Sequence, residues 1–125
     1  MPITWTVDAG KRLAHVTVTA PYTRDQGRAA ATAIVAEPAF APTFGFVVDT
    51  LGRTGPEFVR DMVYFFATHK DKFRASRVAI VLGLGSVGWS KSKMAETLAE
   101  SENLPLTIRV FRTYKQAERW LSSSA

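Results

Sequence analysis

Cysteine is absent from this 125-residue chain, and histidine occurs only twice. The first absence removes disulfides, thiolate metal sites and Cys–His catalysis. The second removes a three-histidine zinc centre. The opening residues MPITWTVDAGKR lack the charged leader followed by an apolar run that marks a secretory signal. No apolar stretch approaches the roughly 18 residues needed to cross a bilayer. The expectation is a cytoplasmic protein with no membrane span, its redox compartment left open by the missing cysteines. The length suits one domain, residues 1–125, able to bury a core without covalent staples.

Acidic residues are outnumbered: 11 Asp and Glu face 16 Lys and Arg, leaving a formal charge of +5. A basic balance invites a nucleic-acid reading, but the cations are scattered instead of forming one stripe. Their densest run, His69 to Arg77, includes Asp71 and falls where a helix should be ending. Cations there complement the helix dipole. Nucleic acid is therefore not the expected partner.

What is present is alternation of two periods. Ile3, Trp5 and Val7 alternate with polar residues, as do Ala14, Val16 and Val18. With turn chemistry at Asp8–Lys11 between them, the two runs predict an antiparallel hairpin. Thr23 with Gln26 forms a capping-box pattern ahead of an Ala-rich helix reaching Ala36. Pro38 and Pro42 bracket an irregular crossing before Phe44–Asp49, a strand apolar at nearly every position and so expected at the sheet centre. A second helix is expected from about Gly55 to about Lys72, with Phe58 or Val59, Met62, Phe65, Phe66 and His69 on its apolar stripe. Arg77–Leu82 reads as a fourth, buried strand. A helix follows over about Ser90–Ser101, with Met94 and Leu98 inward and Glu96 and Glu100 outward. Leu106–Phe111 is the fifth strand, and Thr113 with Gln116 caps a last helix burying Ala117, Trp120 and Leu121. The order ββαβαβαβα predicts an α/β fold: a single-layer, mixed, mostly parallel five-stranded sheet with an N-terminal antiparallel hairpin.

Chemistry is expected where the central strands end. Phe44–Asp49 runs into a Gly-containing loop, and Thr54-Gly55-Pro56-Glu57 carries the signature of a helix N-terminus, with Thr54 as N-cap and Glu57 closing a capping box. Ligands and partners of open α/β sheets are usually met at this edge. Asp49 is the best candidate acid, although an acidic residue there is also explained as a turn cap. Thr50 and Thr54 supply hydroxyls, and Arg53 a cation. Gly83-Leu84-Gly85-Ser86-Val87-Gly88 is formally G-x-G-x-x-G after a buried strand. Yet only one further β–α unit follows, and the next strand ends in Arg112, not in a ribose-binding acid. A permissive turn accounts for the glycines, while Ser86, Ser90, Lys91 and Lys93 could hold a small anion at the helix start. The aromatic set is large, and most of it is expected in the core. The stripe of the second helix, with Phe58, Met62 and Phe66, could instead line a pocket for an apolar ligand or form a dimer face.

The order ββαβαβαβα, the strand ending in Asp49 and the terminal VFRTYKQAERWL together resemble the STAS superfamily, and more narrowly its SpoIIAA-like (STAS/SEC14-like) bacterial proteins. Three motifs carry the likeness over nearly the whole chain. They are a D-P-x-F-type crossing at Glu37-Pro38-Ala39-Phe40, an R-x-A-I-V strand at Arg77–Val81, and a closing pattern at Val110, Phe111, Arg112, Ala117, Trp120 and Leu121. In the anti-sigma-factor antagonists of that superfamily an Asp-Ser-Ser-Gly segment opens the second helix, and one serine is phosphorylated. The matching residues here are Gly52-Arg53-Thr54-Gly55, which keep the hydroxyl-Gly pair and replace the acidic residue and the first serine. The resemblance thus implies Thr54 as the phosphoacceptor.

Two readings follow. The first is a small binding or regulatory module, not an enzyme, that recognises a protein partner or a small anion through Asp49, Thr50, Arg53, Thr54, Gly55, Gly83, Gly85, Ser86 and Gly88, with homodimerisation as a further expectation. The second is a carrier of a small apolar or nucleotide ligand held between the second helix and the loops. A catalytic set is not apparent, and no cofactor or metal is implied. The carrier reading requires a cavity beside Phe58, Met62 and Phe66; a solidly packed core there would remove it.

Overall fold

The central strand is apolar on both faces and must be covered on both, which organises the rest of the chain. In the computed structural model the structure describes residues 3–19, 23–50, 56–74, 76–83 and 103–123, with positions 89, 93, 96, 97, 100 and 101 between the last two; of residues 56–59 only the backbone is described. Strands β1 (Ile3–Asp8), β2 (Leu13–Val18), β3 (Gly45–Asp49), β4 (Ser76–Val81) and β5 (Leu106–Phe111) form one five-stranded sheet. Its spatial order is that of the sequence, β1-β2-β3-β4-β5. Only β1 and β2 run antiparallel; the other three pairings are parallel. Helices α1 (Arg24–Ala36), α2 (Pro56–Thr68) and α3 (Tyr114–Ser122) accompany it. Positions 89, 93, 96, 97, 100 and 101 are helical as well.

Period-two alternation assigns each strand residue to a face. Val16, Val18, Phe46, Val48, Val78, Ile80, Ile108 and Val110 share the first face with Ala30 and Ile34 of α1 and Val63 and Phe66 of α2. Val47, Ala79 and Val81 point the other way, onto Ala117 of α3, with Leu13, Phe111, Tyr114, Trp120 and Leu121 around them. The aromatic residues are mostly core, as expected. Phe46, Phe66 and Phe73 are at most 4% exposed and meet edge to face, their ring centroids 4.9 to 6.0 Å apart.

Helix starts follow the capping chemistry. The Thr23 hydroxyl accepts from the Gln26 N–H at 3.2 Å, and the Gln26 side chain accepts from the Thr23 N–H at 2.8 Å. At α3 the Thr113 hydroxyl accepts from the Gln116 N–H. The far end of α3 is held by Arg77. Its guanidinium donates to the Trp120 and Ser123 carbonyls and lies over the Trp120 ring, a cation on the last orphan carbonyls.

Two expectations need correction. Helix α2 stops at Thr68, and Lys70–Lys72 form a separate 3₁₀ turn, so the helix does not reach Lys72. The Thr68 hydroxyl and the His69 ring turn back onto the carbonyls of Tyr64 and Phe65, and local bonds of this kind accompany a tightened end. Glu96 does not face simply outward. Its carboxylate is half-buried and accepts from the Val110 N–H, satisfying a donor on the outer edge of β5 and blunting that edge. The expected Thr54–Glu57 cap and the inward Met94 and Leu98 lie outside the described residues.

Gly45 begins β3 between the backbone of β4 and the Leu121 side chain of α3. A Cβ there would lie 3.1 Å from the Arg77 carbonyl oxygen and 3.5 Å from a methyl of Leu121. Gly45→Val is expected to lower stability by about 1–3 kcal/mol through this overpacking, measured by urea unfolding; an unchanged midpoint would show that the Arg77 backbone and Leu121 yield to the added side chain.

Candidate functional site

The first sheet face is covered unevenly. Along α1 the residues turned inward are Gly27, Ala30, Ala31 and Ile34, a stripe at helical spacing that is mostly too small to reach α2. Opposite stand the larger Met62, Phe65 and Phe66. A cleft of about 660 Å³ opens between the two helices, within the range of roughly 300–1,000 Å³ typical of small-molecule sites. Its floor is the apolar sheet: Ile3, Val16, Val18, Phe46 and Val48, none more than 7% exposed.

Polar groups gather where the cleft meets solvent. Arg24 and Arg28, four residues apart on α1, share its rim with Arg60, Asp61, Tyr64 and His69 of and just after α2. Arg24 bridges the helices through an ion pair with Asp61 at 3.3 Å. Both side chains are substantially solvated, so the pair stabilises the fold little. Tyr64 is 57% exposed, the one large hydrophobic side chain in that state among the described residues. The His69 ring stacks on Phe65 at 4.5 Å, and its Nδ1 lies 3.1 Å from the Phe65 carbonyl. A carbonyl can only accept, so Nδ1 carries the proton and Nε2 is the acceptor of the neutral ring.

The loop edge looks different from its sequence. Asp49 ends β3 half-buried, in register with Thr17 and Val81. Thr50 is fully buried, and its N–H and its hydroxyl both donate to the Val81 carbonyl, at 3.0 and 2.8 Å. It therefore closes the β3–β4 junction and presents no hydroxyl to a partner, which corrects its assignment to the binding edge. Gly83 has φ 94°, a conformation glycine adopts without steric cost, so a turn explains it without a nucleotide. Arg53, Thr54, Gly55, Gly85, Ser86 and Gly88 lie outside the described residues, as does the side chain of Phe58. Met62 and Phe66 do line the cleft.

One grouping was not legible in the chain. On the second sheet face, where α3 begins beside β2, the His15 ring packs on that of Tyr114 with centroids 5.5 Å apart. Desolvation, with smaller contributions from the Glu118 and Asp49 carboxylates, raises the Tyr114 phenol above its ordinary pKa of 10.0. The residues are 34, 65 and 99 positions apart in pairs, and only the parallel β2–β3 register together with the docking of α3 joins them. His15 and His69 lie on opposite faces of the sheet, so they form no dyad. Among the described residues no group of three His, Asp or Glu side chains could hold a metal ion, and no helix is long and apolar enough to cross a membrane. Among the described residues four cations lie over indole rings: Arg77 and Arg109 over Trp120, and Arg112 and Lys93 over Trp89. No family model, curated protein or solved structure matches the chain.

The raised Tyr114 pKa means that the folded state holds the phenol proton more tightly than the unfolded chain. Its stabilising contribution is full below pH 10 and is lost as pH rises through the folded value. In an alkaline absorbance titration one of the three tyrosines should ionise later than free tyrosine, and Tyr114→Phe should remove that late step. A late step surviving the substitution would assign it to another tyrosine.

Proposed function

We propose that this protein is a small-ligand binding module whose ligand lies in the cleft between α1, α2 and the sheet. The observation that carries the reading is the cleft of about 660 Å³ with an apolar floor, bounded on one side by glycine and alanine. A sequence optimised for stability alone would fill this space, since cavity-filling substitutions commonly add about 0.5–2 kcal/mol. Small residues kept along one wall, opposite large ones on the other, suit a space meant for an occupant.

Recognition at the loop edge is the second reading. Its support is the pairing of Asp49 with Val81, which brings the ends of β3 and β4 side by side next to the loops carrying Thr54 and Ser86, together with the motifs that resemble the STAS superfamily. In that reading Thr54 is phosphorylated and the module acts on a protein partner, as a homodimer or alone.

The test separates the two. Ala31→Phe, which projects a ring into the cleft from α1, should abolish binding of an apolar reporter dye such as 1-anilinonaphthalene-8-sulfonate while leaving the circular dichroism spectrum intact. It should also raise the unfolding midpoint, as filling the space would. Dye binding that survives Ala31→Phe unaltered would remove the cleft as the site. Native mass spectrometry of protein from its own cells then asks whether a small molecule or a phosphoryl group on Thr54 travels with the chain.

A further inference from the structure

The cleft is apolar below and cationic above, and this asymmetry bears on what it holds. Among the described residues Arg24, Arg28 and Arg60 stand on its rim against one carboxylate, Asp61. Arg24 is engaged with Asp61. Among the described residues neither Arg28 nor Arg60 pairs with an acid, and both side chains are exposed. His69, also at the cleft, has its Nδ1 on the Phe65 carbonyl.

We infer that the ligand is an amphipathic anion: a single apolar chain lying on the sheet, ending in a carboxylate or phosphate head held by the guanidinium groups of Arg28 and Arg60. The inference rests on the reading of the cleft as a small-ligand site and names the class of ligand. Guanidinium groups bind carboxylate and phosphate through paired, charge-assisted hydrogen bonds. An arginine at the mouth of an apolar cavity can thus hold a head in water while the tail leaves it. Valine and phenylalanine side chains form the floor below, with no charged side chain among them, so the tail gains by burial alone. The head has a competitor in Asp61, which neutralises Arg24 from the facing helix. Removing that carboxylate frees a third cation for the head without touching the floor.

Isothermal titration calorimetry of the full chain with dodecanoate, dodecyl phosphate and dodecanol, each below its aggregation limit and in low salt, tests this directly. The tails are identical and the heads differ. The anions should bind once per chain, at least one of them roughly three- to tenfold more tightly than the alcohol, the range expected for solvated charge pairs. In the double variant Arg28→Gln, Arg60→Gln that margin should shrink towards one while dodecanol binding persists, which also reports that the variant is folded. In Asp61→Asn the margin should widen. The tighter of the two anions identifies the head. Equal affinity for all three ligands, or a margin indifferent to the double variant, would overturn the anionic head and leave the cleft as an apolar site. Failure of all three to bind would overturn the cleft reading itself.

Discussion

Burial of β3 on both faces is the constraint on which the remainder of the structure depends. Phe46 and Val48 face one way and Val47 the other, and each is at most 4% exposed. A strand of this kind cannot sit at an edge or on an open sheet. It needs paired neighbours on both sides, supplied by β2 and β4 in parallel register, and cover above and below. Parallel pairing in turn requires crossover connections, and α1 and α2 serve as those connections while covering the first face. The second face receives its cover from the chain's end, α3, pinned by Arg77 to the sheet it lies on.

The two covers differ in quality, and that difference gives the molecule its character. On the second face Ala117 seats against Val47, Ala79 and Val81, close enough that β3 begins with a glycine under the Leu121 side chain. Small residues there produce tight contact because α3 can approach the strands. On the first face small residues do the opposite. Gly27, Ala30 and Ala31 of α1 face Met62, Phe65 and Phe66 of α2 across the cleft, so here small residues leave space instead of closing it. The same residue types thus make a seam on one side of the sheet and a cleft on the other. The Arg24–Asp61 pair bridges the cleft but is too solvated to draw the helices together.

Much of the architecture was legible along the chain. Strands β1 and β2 were visible in the alternation of Ile3, Trp5 and Val7 and of Ala14, Val16 and Val18, and α1 in the Thr23–Gln26 pair. The apolar run of β3 announced its central place. The end of α2 was not legible, because whether Thr68 and His69 continue a helix or turn back on its last carbonyls depends on local bonds that composition does not reveal. The role of Glu96 was also hidden. Four-residue spacing from Glu100 suggested a solvated pair, yet the edge of β5 offers it a backbone donor. Thr50 was read as a hydroxyl of the binding edge because it follows a strand, whereas the sheet continues one residue further in hydrogen bonding and buries it.

The sequence by itself determined the alternation of elements, the pairing of the first hairpin, the caps of α1 and α3 and the absence of thiol chemistry, since each depends on contacts or patterns within a few residues. It also contained the signal for the cleft, Gly27, Ala30 and Ala31 on the inward stripe of α1, but small residues at helical spacing are equally the mark of close packing. Only the tertiary structure decided between these meanings, because what a helix faces is settled by residues elsewhere in the chain, here Met62, Phe65 and Phe66. For the same reason only the fold could bring Arg60 to the rim that Arg24 and Arg28 share, or His15, Asp49 and Tyr114 to one face. These meetings are made by strand register and helix docking, which act across tens of residues and leave no local pattern.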